Sequence, residues 1–193
     1  MADFDIKPAS GTGNSLRLKN EAGNIVLSTN NGTGASSWGT VPPAGTILQV
    51  QSTTLTTGYT ASNASWTDIT GLSVSITPKL STSKILILAS INITASNDHR
   101  SRLMRGSTPI AVGTGQASSQ SQMTFGFHYN SAGAFVETRS MNFLDSPATT
   151  SATTYKIQAE GTSAVFVNRS STDTDNSSFG RSVSTITVME VSV

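Results

Sequence analysis

Runs of alternating apolar and polar residues, each closed by Gly, Asn, Ser or Pro, follow one another along most of this chain. No window of a dozen residues carries apolar positions three and four apart, so the pattern predicts an all-β protein without amphipathic helices. The plainest run is KILILASINIT, residues 84–94. Ile85, Ile87, Ala89, Ile91 and Ile93 form one apolar face. The other face starts apolar with Leu86 and Leu88 and turns polar at Ser90 and Asn92. A strand apolar on both faces over half its length is predicted to lie there beneath a second layer or a neighbouring subunit. In WTDITGLSVSITP, Leu72, Val74 and Ile76 alternate with Ser73, Ser75 and Thr77 until Pro78 ends the strand. TILQVQSTTL, MTFGFHYN, VETRSMNFLD, TTYKIQAEG, SAVFVNRS and STITVMEV complete the set. From Thr46 onward this makes about eight to ten strands, the number of a jelly-roll sandwich.

The front of the chain reads differently. LRLKNEAGNIVL, residues 16–27, predicts a β-hairpin in which Gly23 and Asn24 supply the positive φ of a short loop. NGTGASSWGTVPPAG follows and reads as a linker stiffened by Pro42 and Pro43. The predicted organisation is therefore a hairpin segment (1–30), a Gly/Ser/Pro linker (31–45) and a jelly-roll domain (46–193). A two-stranded hairpin is marginal in water by itself. Its apolar positions Leu16, Leu18, Ile25 and Leu27 are therefore the candidate anchor, to be buried against a partner.

Composition narrows the partners. Charged residues are 12% of the chain, about half the usual share, while Ser and Thr make up roughly three residues in ten. A formal net charge of +1 argues against nucleic acid, which demands clustered Lys and Arg. The longest apolar run, Ile85 to Ala89, is too short to span a bilayer, so no membrane insertion is expected. The first ten residues lack the apolar core of a signal peptide. Absence of cysteine excludes disulfides and thiolate metal sites.

Candidate chemistry is thin. The two histidines, His99 and His128, are too few for a zinc site, and with so many serines a chance Ser, His and Asp carry no weight. His99, within SNDHRSR, reads as a loop or strand edge; His128 alternates with aromatics and reads as facing out of its strand. DTDN, Asp173 to Asn176, has oxygen-ligand flavour but lacks the Gly and Glu of a calcium loop, so a solvated loop is the plainer reading. Trp38 and Trp66 suit packing better than sugar stacking. Arg100 and Arg102 would share one face of a strand, available to an anionic ligand, to a partner or to solvent. The expectation is a protein without enzymatic activity, catalytic residues, metal or cofactor.

The stretch DIKPASGTGNSLRLKNEAGNIVLST resembles the N-terminal module of structural proteins from tailed phages of marine and cyanobacterial hosts. In these proteins a KIKP-like start precedes a hairpin of the kind LxLKNxxGNxVL. PPAGTILQVQ, WTDITGLSVSITPKLSTSKILILASI, LMRGSTPIAVG, TTYKIQAEG and STITVMEV resemble the C-terminal part of the same proteins, which is similar to the tumour-necrosis-factor-like jelly roll that assembles as a trimer. The resemblance implies a virion protein assembled in the host cytoplasm. It implies a homotrimer, with Leu86 and Leu88 at the subunit contact and the hairpin anchored on a major capsid protein or a tail or baseplate protein. Capsid decoration is the leading expectation. A short tail fibre or receptor-binding protein touching host surface glycans is the alternative, and a free-standing jelly-roll lectin is a further one.

Overall fold

The computed structural model describes residues 17–19, 21–22, 25–29, 36–38, 42–61, 65–95, 97–115, 117–127 and 136–193. They form strands and turns without a helix. The chain divides into two compact units, residues 1–46 with Ser192, and residues 47–191 with Val193.

The first unit contains β1 (Arg17–Lys19), β2 (Ile25–Thr29) and β3 (Ser36–Trp38) in one antiparallel sheet, in that order. The hairpin pairs Leu18 with Leu27 and slips by a bulge before Lys19 meets Ile25. Residues 36–38, expected within a linker, instead pair with β2, with Trp38 opposite Leu27. A third strand relieves the marginality of a lone hairpin. Leu16 lies outside the described residues, and for Leu18, Ile25 and Leu27 the structure gives the backbone register alone.

The second unit is a sandwich of two antiparallel sheets. Its strands are β4 (Ile47–Leu55), β5 (Tyr59–Ala61), β6 (Thr67–Ile76), β7 (Lys84–Ala95), β8 (His99–Arg105), β9 (Thr108–Ile110), β10 (Phe125–Phe127), β11 (Glu137–Asp145), β12 (Thr153–Gly161), β13 (Val165–Val167) and β14 (Ser184–Val191). One sheet runs β4-β14-β7-β11, with β13 and β5 continuing alongside the far end of β7. The other runs β6-β12-β8-β10, with β9 on β8. The pairings nest: β4 with β14, β6 with β12, β7 with β11, β8 with β10.

Between the sheets lies one apolar core. The face of β7 predicted from alternation (Ile85, Ile87, Ala89, Ile91, Ile93) is buried throughout, against Leu72, Val74 and Ile76 of β6 and Leu103, Tyr155 and Ile157 of the opposite sheet. Ile69 and Leu72 are both buried although three apart. Gly71, at φ 85°, makes the bulge that resets the phase, opposite a register slip between Lys156 and Gln158.

Several polar groups inside the sandwich are matched, while Ser101 Oγ has no hydrogen-bond partner among the described residues. Arg105 Nη1 donates to both carboxylate oxygens of Asp145 at 2.8 and 2.9 Å, and Tyr155 Oη donates to Asp145 Oδ2 at 2.7 Å. This clamp ties the end of β11 to the paired residues Arg105 and Tyr155 of the other sheet. Glu190, fully buried, accepts from Gln49 Nε2 at 2.6 Å and from the amides of Lys79 and Leu80 at 2.8 and 3.2 Å. Burial alone would raise its pKa. The bonds from Gln49, Ser83, Leu80 and Lys79 outweigh that and lower it.

His99 corrects the reading of SNDHRSR as a loop or strand edge. It opens β8, an interior strand between β12 and β10, and points inward with 1% exposure. Burial and the charge of Arg139, partly opposed by Asp98, lower its pKa to about 4. His128 lies outside the described residues.

Candidate functional site

The register of the four long strands β4, β14, β7 and β11 assembles a face that none of them shows alone. Side chains facing away from the core line up in rows across the sheet. Val50, Met189, Leu86 and Leu144 form the first row. Ser52, Thr187, Leu88 and Asn142 form the second, and Thr54, Thr185, Ser90 and Ser140 the third. Asn92 opposite Thr138 continues it. At the apolar end, Val191 pairs with Ile47 on one side and Lys84 on the other.

The face has two zones. At the apolar end Ile47 is 55% exposed, Val50 50%, Leu144 48% and Leu88 38%. Beyond them lies a carpet of hydroxyls and amides, partly bonded within itself. Ser52 Oγ and Thr187 Oγ1 are 2.8 Å apart, and Thr138 Oγ1 donates to Asn92 Oδ1 at 2.6 Å. A groove of about 920 Å³ has Leu88, Ser90, Asn142 and Thr187 of this face among its walls, together with Ala111, Thr124, Met141 and Phe143, so it is not confined to the outer face. Of the residues in these rows, Lys84 at one corner is the single charged one. Leu86 and Leu88, the residues predicted at a subunit contact, both belong to this face. Ile47, Val50, Leu144 and Met189 were missed, because alternation identifies each strand's outward residues but not which strands stand side by side.

The opposite sheet presents a charged face. Arg100 and Arg102 project on it together, as expected from their spacing. Arg100 Nη1 lies 3.3 Å from Glu160 Oε2. Arg102 donates twice to Gln158 Oε1, at 2.9 and 2.7 Å, with its guanidinium 4.1 Å from the centre of the Trp66 ring. Gln158 Nε2 and Lys156 Nζ in turn donate to Asp68 at 2.7 and 2.6 Å. Burial would raise the Asp68 pKa, and these bonds together with the Lys156 charge lower it instead. Trp66 thus packs beneath a cation rather than standing open.

In the loop from 171 to 182, Asp173 sits between two guanidiniums, Arg181 at 2.6 Å and Arg169 at 3.3 Å. The positive charge that a cation would bring to DTDN is already supplied by these arginines. Among the described residues, no three His, Asp or Glu side chains converge as metal ligands do. His99 is sealed in the interior, away from solvent. Comparison of the sequence with known protein families and with characterised proteins finds no match to either.

Proposed function

We propose that this chain is a non-enzymatic structural protein of a bacteriophage virion, a homotrimer that decorates the capsid and is held there through its N-terminal segment. The observation that carries the reading is the uncharged outer face of the β4-β14-β7-β11 sheet. Depletion of charge distinguishes the centre of a protein interface from ordinary surface. Four strands about 4.8 Å apart, with outward side chains about 6.8 Å apart along each, give a face of roughly 500 Å². That is most of the ~800 Å² per partner in a standard interface. Half-exposed Ile47, Val50, Leu88 and Leu144 would each gain about 1 kcal/mol on complete burial.

The covering partner is another copy of the chain. Mixed apolar and hydroxyl rows complement themselves without needing opposite charge. Trimeric symmetry and the virion follow from the resemblance to phage structural proteins. The nested strand pairing supports the jelly-roll form, in which one antiparallel ribbon folds over itself. Host-surface binding by a short tail fibre is the second reading, favoured by the ordered polar face that the opposite sheet leaves free.

Native mass spectrometry and light scattering test the assembly. A trimer mass is expected for the wild type. Leu88→Asp and Leu144→Asp place buried charge at the contact and should yield folded monomers. A wild type that stays monomeric at high concentration overturns the assembly reading. Electron microscopy of virions labelled through this chain separates head from tail.

A further inference from the structure

A second hollow lies beside Arg100, on the charged sheet. It encloses about 470 Å³ and is walled by the loop between β9 and β10, including Gly113, Thr114, Gly115, Ser119, Gln120, Ser121 and Met123. This loop is tied down at several points. Gly113 N donates to Met123 O at 3.1 Å, Gln120 N to Ala117 O at 2.9 Å, and Thr124 N to Ser101 O at 2.9 Å. Thr124 Oγ1 accepts from Leu103 N at 2.9 Å. These bonds hold the two ends of the loop and the turn at 117–120.

Three kinds of group meet in the hollow. Arg100 brings the one charge among the lining residues. Its described partner, Glu160, takes a single long contact at 3.3 Å, which leaves most of the guanidinium fork for a planar anion. Gly126 stands opposite Arg100 in the β8–β10 register. A side chain there would meet Met123 Sδ at 2.8 Å, so the thioether takes that space and sets an apolar wall beside the cation. Met123 is 40% exposed. Around the rim stand the hydroxyls of Thr114, Ser119 and Ser121 and the amide of Gln120. Gln120 Oε1 is engaged by Ala117 N at 2.9 Å, which leaves Nε2 to donate. At Gly113 and Gly115 a Cβ would meet nothing within 4 Å, so bare backbone edges the opening.

A planar anion fork, an apolar wall and a ring of neutral hydroxyl and amide groups together match one class of small molecule. We propose that this hollow is a binding site for an acidic monosaccharide. The sugar carboxylate sits on Arg100, the apolar face of the pyranose lies against Met123, and its hydroxyls bond to Thr114, Ser119, Gln120 and Ser121. The site is complete within one chain, so it stands whether or not the assembly reading does. Arg102, two residues along β8, is already stacked and doubly bonded and does not take part.

The test is titration of the full-length protein with glucuronic acid and N-acetylneuraminic acid, against glucose as the neutral comparison, followed by saturation-transfer NMR and calorimetry. Both acids should bind with dissociation constants of about 1 mM, and glucose about tenfold more weakly, the loss of one charge-assisted contact. Arg100→Gln should weaken the acids about tenfold without altering glucose. Ser119→Glu, at an exposed loop position, should abolish acid binding by repulsion and guards against misfolding of the arginine variant. Equal affinity for acid and neutral sugars overturns the proposal. So does absence of binding by either acid, or unchanged acid binding in a folded Ser119→Glu protein.

Discussion

Asp145→Ala tests the clamp that joins the two sheets. In the wild type the carboxylate receives Arg105 twice and Tyr155 once, all within 2.9 Å. Tyr155 is fully buried, and burial together with its bond to Asp145 pushes the phenol pKa well above its ordinary value. Removing the carboxylate strands a buried hydroxyl at about 1–3 kcal/mol. Loss of the ion pair adds about 1 kcal/mol, a discounted figure because the Arg105 side chain is 32% exposed. The expected destabilisation is about 3 kcal/mol, which is about 9 °C in melting temperature for a domain of this size. Tyr155→Phe leaves the Arg105–Asp145 pair intact and should lose about 1.5 kcal/mol. In the double variant no hydroxyl is stranded, so its loss should fall short of the sum of the single losses by at least about 1 kcal/mol. Urea unfolding at one fixed protein concentration measures all three, so that the proposed self-association, whose stability would depend on concentration, contributes equally to each. Additive losses, or an Asp145→Ala loss below about 1 kcal/mol, would refute a coupled clamp.

Three further outcomes are expected. Buried His99 is neutral in the folded chain, with its pKa lowered to about 4 from 6.5, while the unfolded chain takes up a proton below about 6.5. Its contribution is therefore complete above pH 6.5 and is lost as pH falls toward 4, by about 3 kcal/mol; unfolding free energies between pH 6.5 and 4.5 should slope downward in the wild type and flatten in His99→Leu, and an unchanged slope would refute the assignment. Glu190, with its pKa lowered, contributes stability that is present above the carboxylate range and lost as pH falls below it; Glu190→Gln keeps one oxygen for the amides of Lys79 and Leu80 but sets its NH2 against Gln49 Nε2, and should lose about 2 kcal/mol at neutral pH in denaturant titrations. Gly71 combines φ 85° with a Cβ position 2.9 Å from Leu55 Cδ1, so Gly71→Ala should lower stability by about 1–2 kcal/mol, whereas Gly106→Ala, at positive φ in open space, should lose less.

What alternation can express was legible before the structure. The inward face of β7 follows the sequence residue by residue, because a period of two fixes which side chains enter the core. The same rule failed at β8, where His99 and Ser101 point inward beside Leu103. There polarity hid the inward face of the strand, and the signal that marks it is the alternating position of Leu103 rather than hydrophobicity. Ser36 to Trp38 were hidden for another reason: a Gly/Ser-rich composition says little about a three-residue strand whose existence depends on β2 as its partner. The phase reset at Gly71 was visible as a glycine but not as a bulge, since its partner strand arrives more than eighty residues later.

The two outer faces of the sandwich give the same chain two different dealings with water. Sheet β6-β12-β8-β10 pairs its charges in part internally, Lys156 with Asp68 at 2.6 Å and Arg100 with Glu160 through one contact at 3.3 Å, as a surface that remains solvated does. Sheet β4-β14-β7-β11 keeps charge out of its rows except at the Lys84 corner and exposes Ile47, Val50, Leu88 and Leu144 together. Both faces draw on one pool of residues, so low overall charge does not by itself explain the contrast. Separation onto opposite sheets does have a physical use. A face that is to be buried loses little desolvation energy if it carries hydroxyls bonded within their own sheet, as Ser52 with Thr187 and Thr138 with Asn92 are. A face that stays in water gains solubility and ligand-binding capacity from charge. Exchanging the two characters, by placing Lys or Glu at Thr187 and Ser90, should therefore leave the chain folded and remove the proposed self-association, read as a monomer mass by light scattering.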